Sequence, residues 1–520
     1  MPSELSRVFT AALQGVDALE VEVEVNEYEL AESTVMVNIV GLPDAAVRES
    51  RDRVWTAISN SSYPLLKAGR TTVNLAPADL KKEGPGFDLP IAIGTIANRV
   101  AGTDQNLLDK CCIVGELALN GAVRAVKGIL SIALCARANG REQVIVPYDN
   151  AEEASVVEGI TVIGVRTLQE AFEHVTGRAP LLPTQRRRMQ DFVETMPWEI
   201  DFADVKGQAG VKRALEVAAA GGHNVLMVGP PGTGKSMLAK RLATIMPPMT
   251  EEEAIETTKI HSICGLLDSR RQFMVQRPFR SPHHTISNAG LLGGGSNPSP
   301  GEVSLAHHGV LFLDELPEFD RGTLEVMRQP LEDGRVTISR AAGVMTFPCR
   351  FMLVSAMNPC PCGYYGDPRR ECRCSTPQVL RYRQRISGPL LDRIDMHVEV
   401  PLVEYKDLSR IEPGEPSVDV RARVVAARNF QLARYRRAKS PVTCNAMLTP
   451  KLMKEFCKID EETSLLLENV MTSHNLSARA HDRILKVART IADLAGAEVL
   501  SSDHVLEAVS FRNLDRAMTG

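Results

Sequence analysis

The run Asn224-Val225-Leu226-Met227-Val228 leads directly into Gly229-Pro230-Pro231-Gly232-Thr233-Gly234-Lys235-Ser236 and on to Met237-Leu238-Ala239-Lys240. It reads as a short buried strand, a glycine-rich loop and the first turn of a helix, the context that the pattern G-x-x-x-x-G-K-[ST] requires. Glycines let backbone N–H groups curl around phosphate oxygens, and the helix N-terminus adds a favourable dipole. Residues Gly229 to Gly234 are expected to form that cradle. Lys235 is expected to reach the β and γ phosphates, and Ser236 to offer its hydroxyl to Mg²⁺.

Working outward, Val310-Leu311-Phe312-Leu313 is a second apolar strand, ending in Asp314-Glu315. Ligands of open α/β sheets sit at the C-terminal strand ends. Asp314 is therefore expected to hold Mg²⁺ through water, and Glu315 to orient and deprotonate an attacking water. A third apolar run, Phe351 to Met357, ends in Asn358, which is expected to sense the γ phosphate or the lytic water. Apolar runs alternate with helical patterns from about Pro197, which predicts a parallel α/β sheet. After about residue 401 helical periodicity takes over. Ile484, Val487, Ala488 and Ile491 share one face, with Ser477 as N-cap and Gly496 as stop.

The 520 residues leave room for three or four domains at about 150 residues each. Hydrophobic residues at 44% and charged residues at 24% exclude wholesale disorder. No stretch approaches the roughly 18 uncharged apolar residues of a membrane span, and Met1 to Leu13 lacks the apolar core of a secretory signal. A cytoplasmic protein with no membrane partner is expected. The formal net charge of −4 excludes coating of nucleic acid by overall positive charge, so any such contact must come from a local basic surface.

In Leu19-Glu20-Val21-Glu22-Val23-Glu24-Val25 apolar residues take every second position, the period of a half-buried strand, and Val35, Val37 and Ile39 continue it before Gly41-Leu42-Pro43. Thr176 to Gln190 reads as a linker. Its run Arg186-Arg187-Arg188 is a solvated stretch, with contact to DNA as the sharper alternative. Val336-Thr337-Ile338-Ser339 and Val344-Met345-Thr346-Phe347 flank Arg340-Ala341-Ala342-Gly343 as a β-hairpin. Phe279 to about Pro300 is a second insert, with Leu291 to Gly295 expected as a mobile loop. The adjacent pairs His283-His284 and His307-His308 point to opposite faces if they lie on strands, which disfavours a shared metal.

Eleven cysteines are expected to stay reduced. Cys111, Cys112, Cys135, Cys264, Cys349, Cys444 and Cys457 read as small core residues. Cys360, Cys362, Cys372 and Cys374 cluster, and four thiolates can bind Zn²⁺ tetrahedrally, although C-x-C is tighter than the usual spacing. Structural zinc, reduced thiols and a redox switch all stand open. Tyr364, Tyr365, Arg369, Arg370, Arg373 and Arg381-Tyr382-Arg383-Gln384-Arg385 mix aromatics with cations nearby, as suits DNA or an intersubunit face.

Other segments carry a resemblance: Gly301-Glu302-Val303-Ser304-Leu305-Ala306-His307-His308-Gly309, Arg328-Gln329-Pro330-Leu331-Glu332-Asp333-Gly334 and Asn358-Pro359-Cys360-Pro361-Cys362-Gly363. To these are added Ser387-Gly388-Pro389-Leu390-Leu391-Asp392-Arg393-Ile394-Asp395 and Ala488-Arg489-Thr490-Ile491-Ala492-Asp493-Leu494. With the motifs above, and over essentially the whole chain, they resemble the magnesium-chelatase-like AAA+ ATPases of the ComM/YifB family.

The resemblance implies an AAA+ P-loop ATPase core over 197–400, with a pore hairpin and a Cys-rich loop, followed by a helical lid of magnesium-chelatase type over 401–520. A linker, 176–196, separates these from an α+β Lon protease-like domain over 1–175. ATP and Mg²⁺ are the implied cofactors. In Asp204-Val205-Lys206-Gly207-Gln208, the residues Val205, Gly207 and Gln208 look like adenine contacts. Arg393 looks like an arginine finger that completes a neighbour's site, which implies a homo-oligomer, by family likeness a hexameric ring, and Arg479 looks like a second sensor. Arg340, on the hairpin, is the candidate contact to the DNA backbone. In the Lon-like segments Gly86 and Leu130 stand where a serine and a lysine would be catalytic, so proteolysis is disfavoured. The activity implied is an ATP-driven DNA translocase, a branch-migration helicase acting on single-stranded or branched DNA in natural transformation. A chelatase-type ATPase remodelling a protein partner is the rival.

Overall fold

The alternation of valine and glutamate from Leu19 to Val25 forms one side of a long antiparallel ladder in the computed structural model, which describes residues 5–29, 35–193, 198–268, 272–295, 298–340, 343–367, 369–402, 414–473 and 476–512. Strand β1 (Leu5–Gln14) pairs with β2 (Asp17–Glu29) from Leu5 opposite Asn26 to Gln14 opposite Asp17. Val21, Val23 and Val25 are wholly buried, as the period-2 pattern requires. With β3 (Val35–Val40), β4 (Gly69–Ala76), β5 (Cys111–Ile113), β6 (Gln143–Pro147) and β7 (Thr161–Val165), they make a sheet ordered β3-β4-β2-β1-β5-β6-β7. The β1, β2 and β4 ladder is antiparallel and the remaining pairs are parallel. Helices Ala45–Asn60, Asp88–Ala97 and Leu168–Val175 pack against it around Ile58, Leu89, Ile93 and Phe172.

The chain divides into two units, Met1–Met196 with Thr250–Val275, and Pro197–Met249 with Gln276–Gly520. Helix Glu251–Ile263 therefore belongs with the N-terminal sheet, although its sequence lies inside the stretch read as one ATPase core. Its Ser262 hydroxyl accepts from the Gly128 N–H at 3.0 Å and donates to the buried Glu153, while Lys259 pairs with Asp17. The stretch expected as a solvated linker is also folded into this unit as far as Val193. Arg186 pairs with Glu158 at 3.3 Å, Arg187 pairs with Glu152, and buried Phe192 lies 5.5 Å from the ring of Phe273. Leu130 is wholly buried and its N–H donates to Glu153.

In the second unit β8 (Val225–Val228), β9 (Phe279–Arg280), β10 (Val310–Leu313), β13 (Met352–Met357) and β14 (Met396–Glu399) form an all-parallel sheet. Its order is β9-β10-β13-β8-β14. Between β10 and β13 the expected hairpin is present as β11 (Arg335–Arg340) and β12 (Gly343–Pro348), paired from Arg335 opposite Pro348 to Arg340 opposite Gly343. Ala341 and Ala342, at its tip, lie outside the described residues. The second insert is more ordered than the mobile loop expected. It holds a helix, Asn288–Leu292, and a ribbon pairing Gly293–Gly294 with Ser299–Pro300. A side chain at Gly293 (φ 103°) would meet the Ser299 carbonyl at 2.3 Å and Ile338 of the hairpin at 2.9 Å, so only glycine fits there.

The C-terminal helices share one hydrophobic cluster with the sheet, joining Val225, Leu215 and Leu238 to Val424, Ile484, Ala488 and Val505. Ser477 caps helix Ala478–Leu494 as expected, accepting from the Ala480 N–H. Beneath that helix runs a buried polar chain. His223 Nε2 meets Thr490 Oγ1 at 2.7 Å, Asn445 donates to Thr490 and to Asp493 at 2.9 Å each, and Tyr435 donates to Asn445. Arg434 and Arg489 both pair with Asp493.

Candidate nucleotide site

Strand β13 lies between β8 and β10, with Val228 opposite Met357 and Leu313 opposite Ser355. The residues that follow the three strands therefore converge at one sheet edge. Gly234, at φ 83°, turns the loop into helix Lys235–Ile245, which puts the Lys235 amine back over the loop. Lys235 is 9% exposed, and its amine donates to the Gly229 carbonyl at 2.7 Å, the Pro230 carbonyl at 2.9 Å and Asn358 Oδ1 at 3.3 Å. Burial pushes it below the ordinary lysine range, against the pull of Asp314 and Glu315. An ammonium so desolvated, with only carbonyl oxygens in contact, is completed by an anion.

Ser236 donates to Asp314 Oδ2 at 2.6 Å. This sets a hydroxyl and a carboxylate at one point, the oxygen ligands that Mg²⁺ takes beside phosphates, so the residues present fit the cation. Glu315 stands at φ 52°, a conformation uncommon outside glycine. Its side chain is 55% exposed, and its Oε2 lies 3.6 Å from His284 Nδ1. His284 also borders a cleft of about 720 Å³ lined by Glu318, Phe319, Arg381 and Arg385. Val205 is buried, and Gln208 donates to the carbonyls of Thr233 at 2.8 Å and Pro401 at 3.2 Å.

The structure thus gathers Gln208, Lys235, Ser236, Asp314, Glu315 and Asn358. Arg393 follows helix Gly388–Leu391, and Arg479 stands in the first turn of helix Ala478–Leu494. Arg393 is only 8% exposed, pairs with Glu332 and donates to the Pro389 carbonyl at 2.5 Å. Arg479, 65% exposed, lies 3.3 Å from Asp392. The next acid, Asp395, is buried between the Asn224 N–H, His223 and Arg483, the last at 2.7 Å. Burial opposes its ionisation, but Arg483 and His223 hold its carboxyl well below the usual range. Sequence reading passed over His284, Glu332 and Arg483. His284 enters the sequence only as half of a pair, and none of these histidines lies on a strand: their rings are tilted against each other, with centroids 4.1 Å apart in His283-His284 and 3.9 Å in His307-His308.

The four clustered cysteines converge. Cys360 and Cys362 Sγ are 3.4 Å apart, Cys362 and Cys372 3.6 Å, and Cys360 and Cys372 3.7 Å, with Cys374 within 4.8 Å of all three. A disulfide would need about 2.05 Å, whereas a zinc tetrahedron with about 2.3 Å bonds has edges near 3.8 Å. Backbone N–H groups of Tyr364 and Arg373 hold the Cys362 thiol down to about 6. Cys372 is helped by the Cys374 N–H, yet burial and the sulfurs of Cys362 and Cys360 push it up to about 12. Four adjacent sulfurs cannot all ionise without a cation among them. Of the scattered cysteines, Cys111, Cys112, Cys349, Cys444 and Cys457 are buried, while Cys135 and Cys264 are half-buried.

A phosphate loop, an acidic strand end and an asparagine on one parallel sheet, with C-terminal helices in the same hydrophobic cluster, define an AAA+-like ATPase that uses ATP and Mg²⁺. Family models agree along the chain. Residues 23–150 match subunit ChlI of Mg-chelatase, residues 201–408 match magnesium chelatase subunit ChlI, and residues 414–512 match the ChlI C-terminal model. The chain belongs to the magnesium-chelatase-like family of YifB and ComM. It is 44% identical to YifB of Escherichia coli over 515 residues, 99% of this chain and 98% of that one. Against competence protein ComM of Haemophilus influenzae it is 43% identical over 518 residues, with the same coverage. Lon protease 2 of Bacillus subtilis is 23% identical over 175 residues, 31% of either chain, which lends the Lon-like reading partial support. Among the described residues no helix is long and apolar enough to cross a membrane.

Proposed function

We propose that this protein is a ring-forming motor that spends ATP to move DNA strands, acting as a branch-migration helicase on incoming DNA in natural transformation. The observation that carries the reading is the division of the site. One sheet edge gathers Lys235, Ser236, Asp314 and Asn358, while Arg393, after helix Gly388–Leu391, and Arg479, in the first turn of helix Ala478–Leu494, are held by acids of their own, Glu332 and Asp392. Beyond Lys235, the γ phosphate takes a second cation from a neighbour, as arginine fingers supply in trans, and a hexameric ring supplies one neighbour per site.

In this reading Lys235 binds the phosphates, and Ser236 and Asp314 hold Mg²⁺, which neutralises charge on the phosphate oxygens when bound. Asn358 and Glu315 orient the water, and Glu315 takes its proton. Val205, Gly207 and Gln208 flank the base. The hairpin offers Arg340 to the phosphate backbone inside the ring. The Cys-rich loop carries a structural Zn²⁺, supported by the near-tetrahedral spacing of its sulfurs. The Lon-like unit is a cytoplasmic, non-proteolytic scaffold, since Gly86 and Leu130 supply neither nucleophile nor base.

ATPase measured with and without single-stranded and forked DNA, together with branch migration of a labelled junction, tests the motor. Arg340→Ala should weaken DNA binding equally for all sequences and flatten its salt slope by about 0.7–0.9. No DNA binding by the wild-type protein at low salt would overturn the reading. It would favour instead an ATPase that remodels a protein partner, the alternative suggested by the chelatase family models.

A further inference from the structure

Arg393 is held, within its own chain, by the segment that leads into the hairpin. Glu332 lies on the short helix Arg328–Asp333, which stops at Gly334 (φ 63°) and continues directly as β11. The far strand is tied to the same point, because the Cys349 N–H just after β12 donates to the Gly334 carbonyl at 2.9 Å. Arg350 also lies against Gly334, where an added Cβ would meet its Cγ at 2.9 Å. Helix, hairpin base and Glu332 are thus one structural element.

The two partners differ in their surroundings. Arg393 is 8% exposed and Glu332 is 55% exposed. Arginine has five N–H donors in a fixed fork. Here one terminal nitrogen serves Glu332 and the other serves Pro389, while the buried Nε has no acceptor among the described residues. A buried donor left unpaired is costly, so this is not the position in which the guanidinium is best satisfied. To touch a neighbouring subunit's phosphates it must leave this pocket and give up Glu332.

We propose that Glu332 is a positioning residue for hydrolysis in trans: it detains Arg393 until the hairpin base shifts, so that the hairpin of one subunit sets the hydrolysis rate at the next. This rests on the reading of Arg393 as the arginine that acts on the adjacent site. A DNA strand on the hairpin changes the rate only by favouring the base position in which Arg393 is free, because a ligand shifts an equilibrium by its differential affinity alone.

The test is steady-state ATPase of the full chain, kcat and KM for ATP, with and without an oligo-dT strand. The proteins compared are wild type, Glu332→Gln, Glu332→Ala, Glu332→Asp, Arg393→Ala and Glu332→Gln with Arg393→Ala. Glu332→Gln and Glu332→Ala should raise kcat without DNA by about 5-fold or more, the lower end of typical coupling. KM should stay unchanged and the ratio with to without DNA should fall toward one. Glu332→Asp, which keeps the carboxylate, should stay near wild type. In the Arg393→Ala background Glu332→Gln should change nothing. Melting curves and sedimentation check that the variants fold and assemble. If Glu332→Gln leaves the DNA-free rate unchanged, or lowers both rates in parallel, the latch is overturned while a slow Arg393→Ala still upholds the trans reading. Wild-type hydrolysis by Arg393→Ala overturns both.

Discussion

Asn445→Ala probes whether the lid helices and the sheet share one cooperative core. Asn445 is wholly buried. The truncation removes its two donated bonds, to Thr490 and Asp493, and the acceptor for the Tyr435 hydroxyl. Thr490 keeps His223 and the Lys486 carbonyl, and Asp493 keeps Arg434 and Arg489. The Tyr435 proton is left without its acceptor in a site 1% exposed. One stranded buried donor costs about 1–3 kcal/mol and each lost bond about 0.5–1.5 kcal/mol, or about 2–6 kcal/mol in all. At about 2–4 °C per kcal/mol for domains of 150–250 residues, the melting point should fall by about 5 °C or more. Scanning calorimetry of the full chain reads it. Adding Tyr435→Phe removes the stranded hydroxyl, so the double variant should be more stable than the sum of the singles predicts, by about 1–2 kcal/mol. An unchanged melting point, or an additive cycle, would refute the account of Asn445 as the junction of that network.

Two further outcomes are expected. Glu315→Gln should bind ATP normally, by fluorescent-nucleotide titration, while its turnover falls about 10²–10⁴-fold through loss of the base; wild-type turnover would remove Glu315 from the role. Protein purified without chelator should carry about one zinc per chain by elemental analysis, and Cys372→Ser should lose the metal together with some thermal stability. A zinc-free wild type would instead leave reduced thiols as the state of the loop.

What was legible in the sequence is what is local. The phosphate loop needs its glycines, lysine and serine within eight positions, so one stretch of chain announces the site, and apolar runs before Asp314 and Asn358 mark strands that must end there. Pairs made across the fold left no such trace. His284 meets Glu315, Glu332 meets Arg393 and Arg483 meets Asp395 only because strands and helices return to one place. Arg489, Thr490 and Asp493 entered the reading through family likeness alone. The structure supplies their reason: they are buried polar groups on an otherwise apolar helix face, each satisfied by a neighbour. The stretch from Gly177 to Arg188 is irregular and largely exposed, as its proline, glycine and arginine content suggests, while the ion pairs of Arg186 and Arg187 with Glu158 and Glu152 left no trace in composition.

The assignment of Thr250–Val275 to the first unit means that the polypeptide passes between the units three times, after Met196, after Met249 and after Val275. A truncation at the first of these junctions would strip the N-terminal sheet of helix Glu251–Ile263 and leave the Glu153 carboxylate without Ser262. The fragment so made is an incomplete domain and is expected to be unstable. The helix that begins at Lys235 ends at Ile245, and the chain enters the other unit at Thr250. Only Met246 to Met249 separate the phosphate-binding helix from the first unit along the chain, so a fragment that keeps that helix cannot shed the first unit's helix Glu251–Ile263 without a cut inside those four residues.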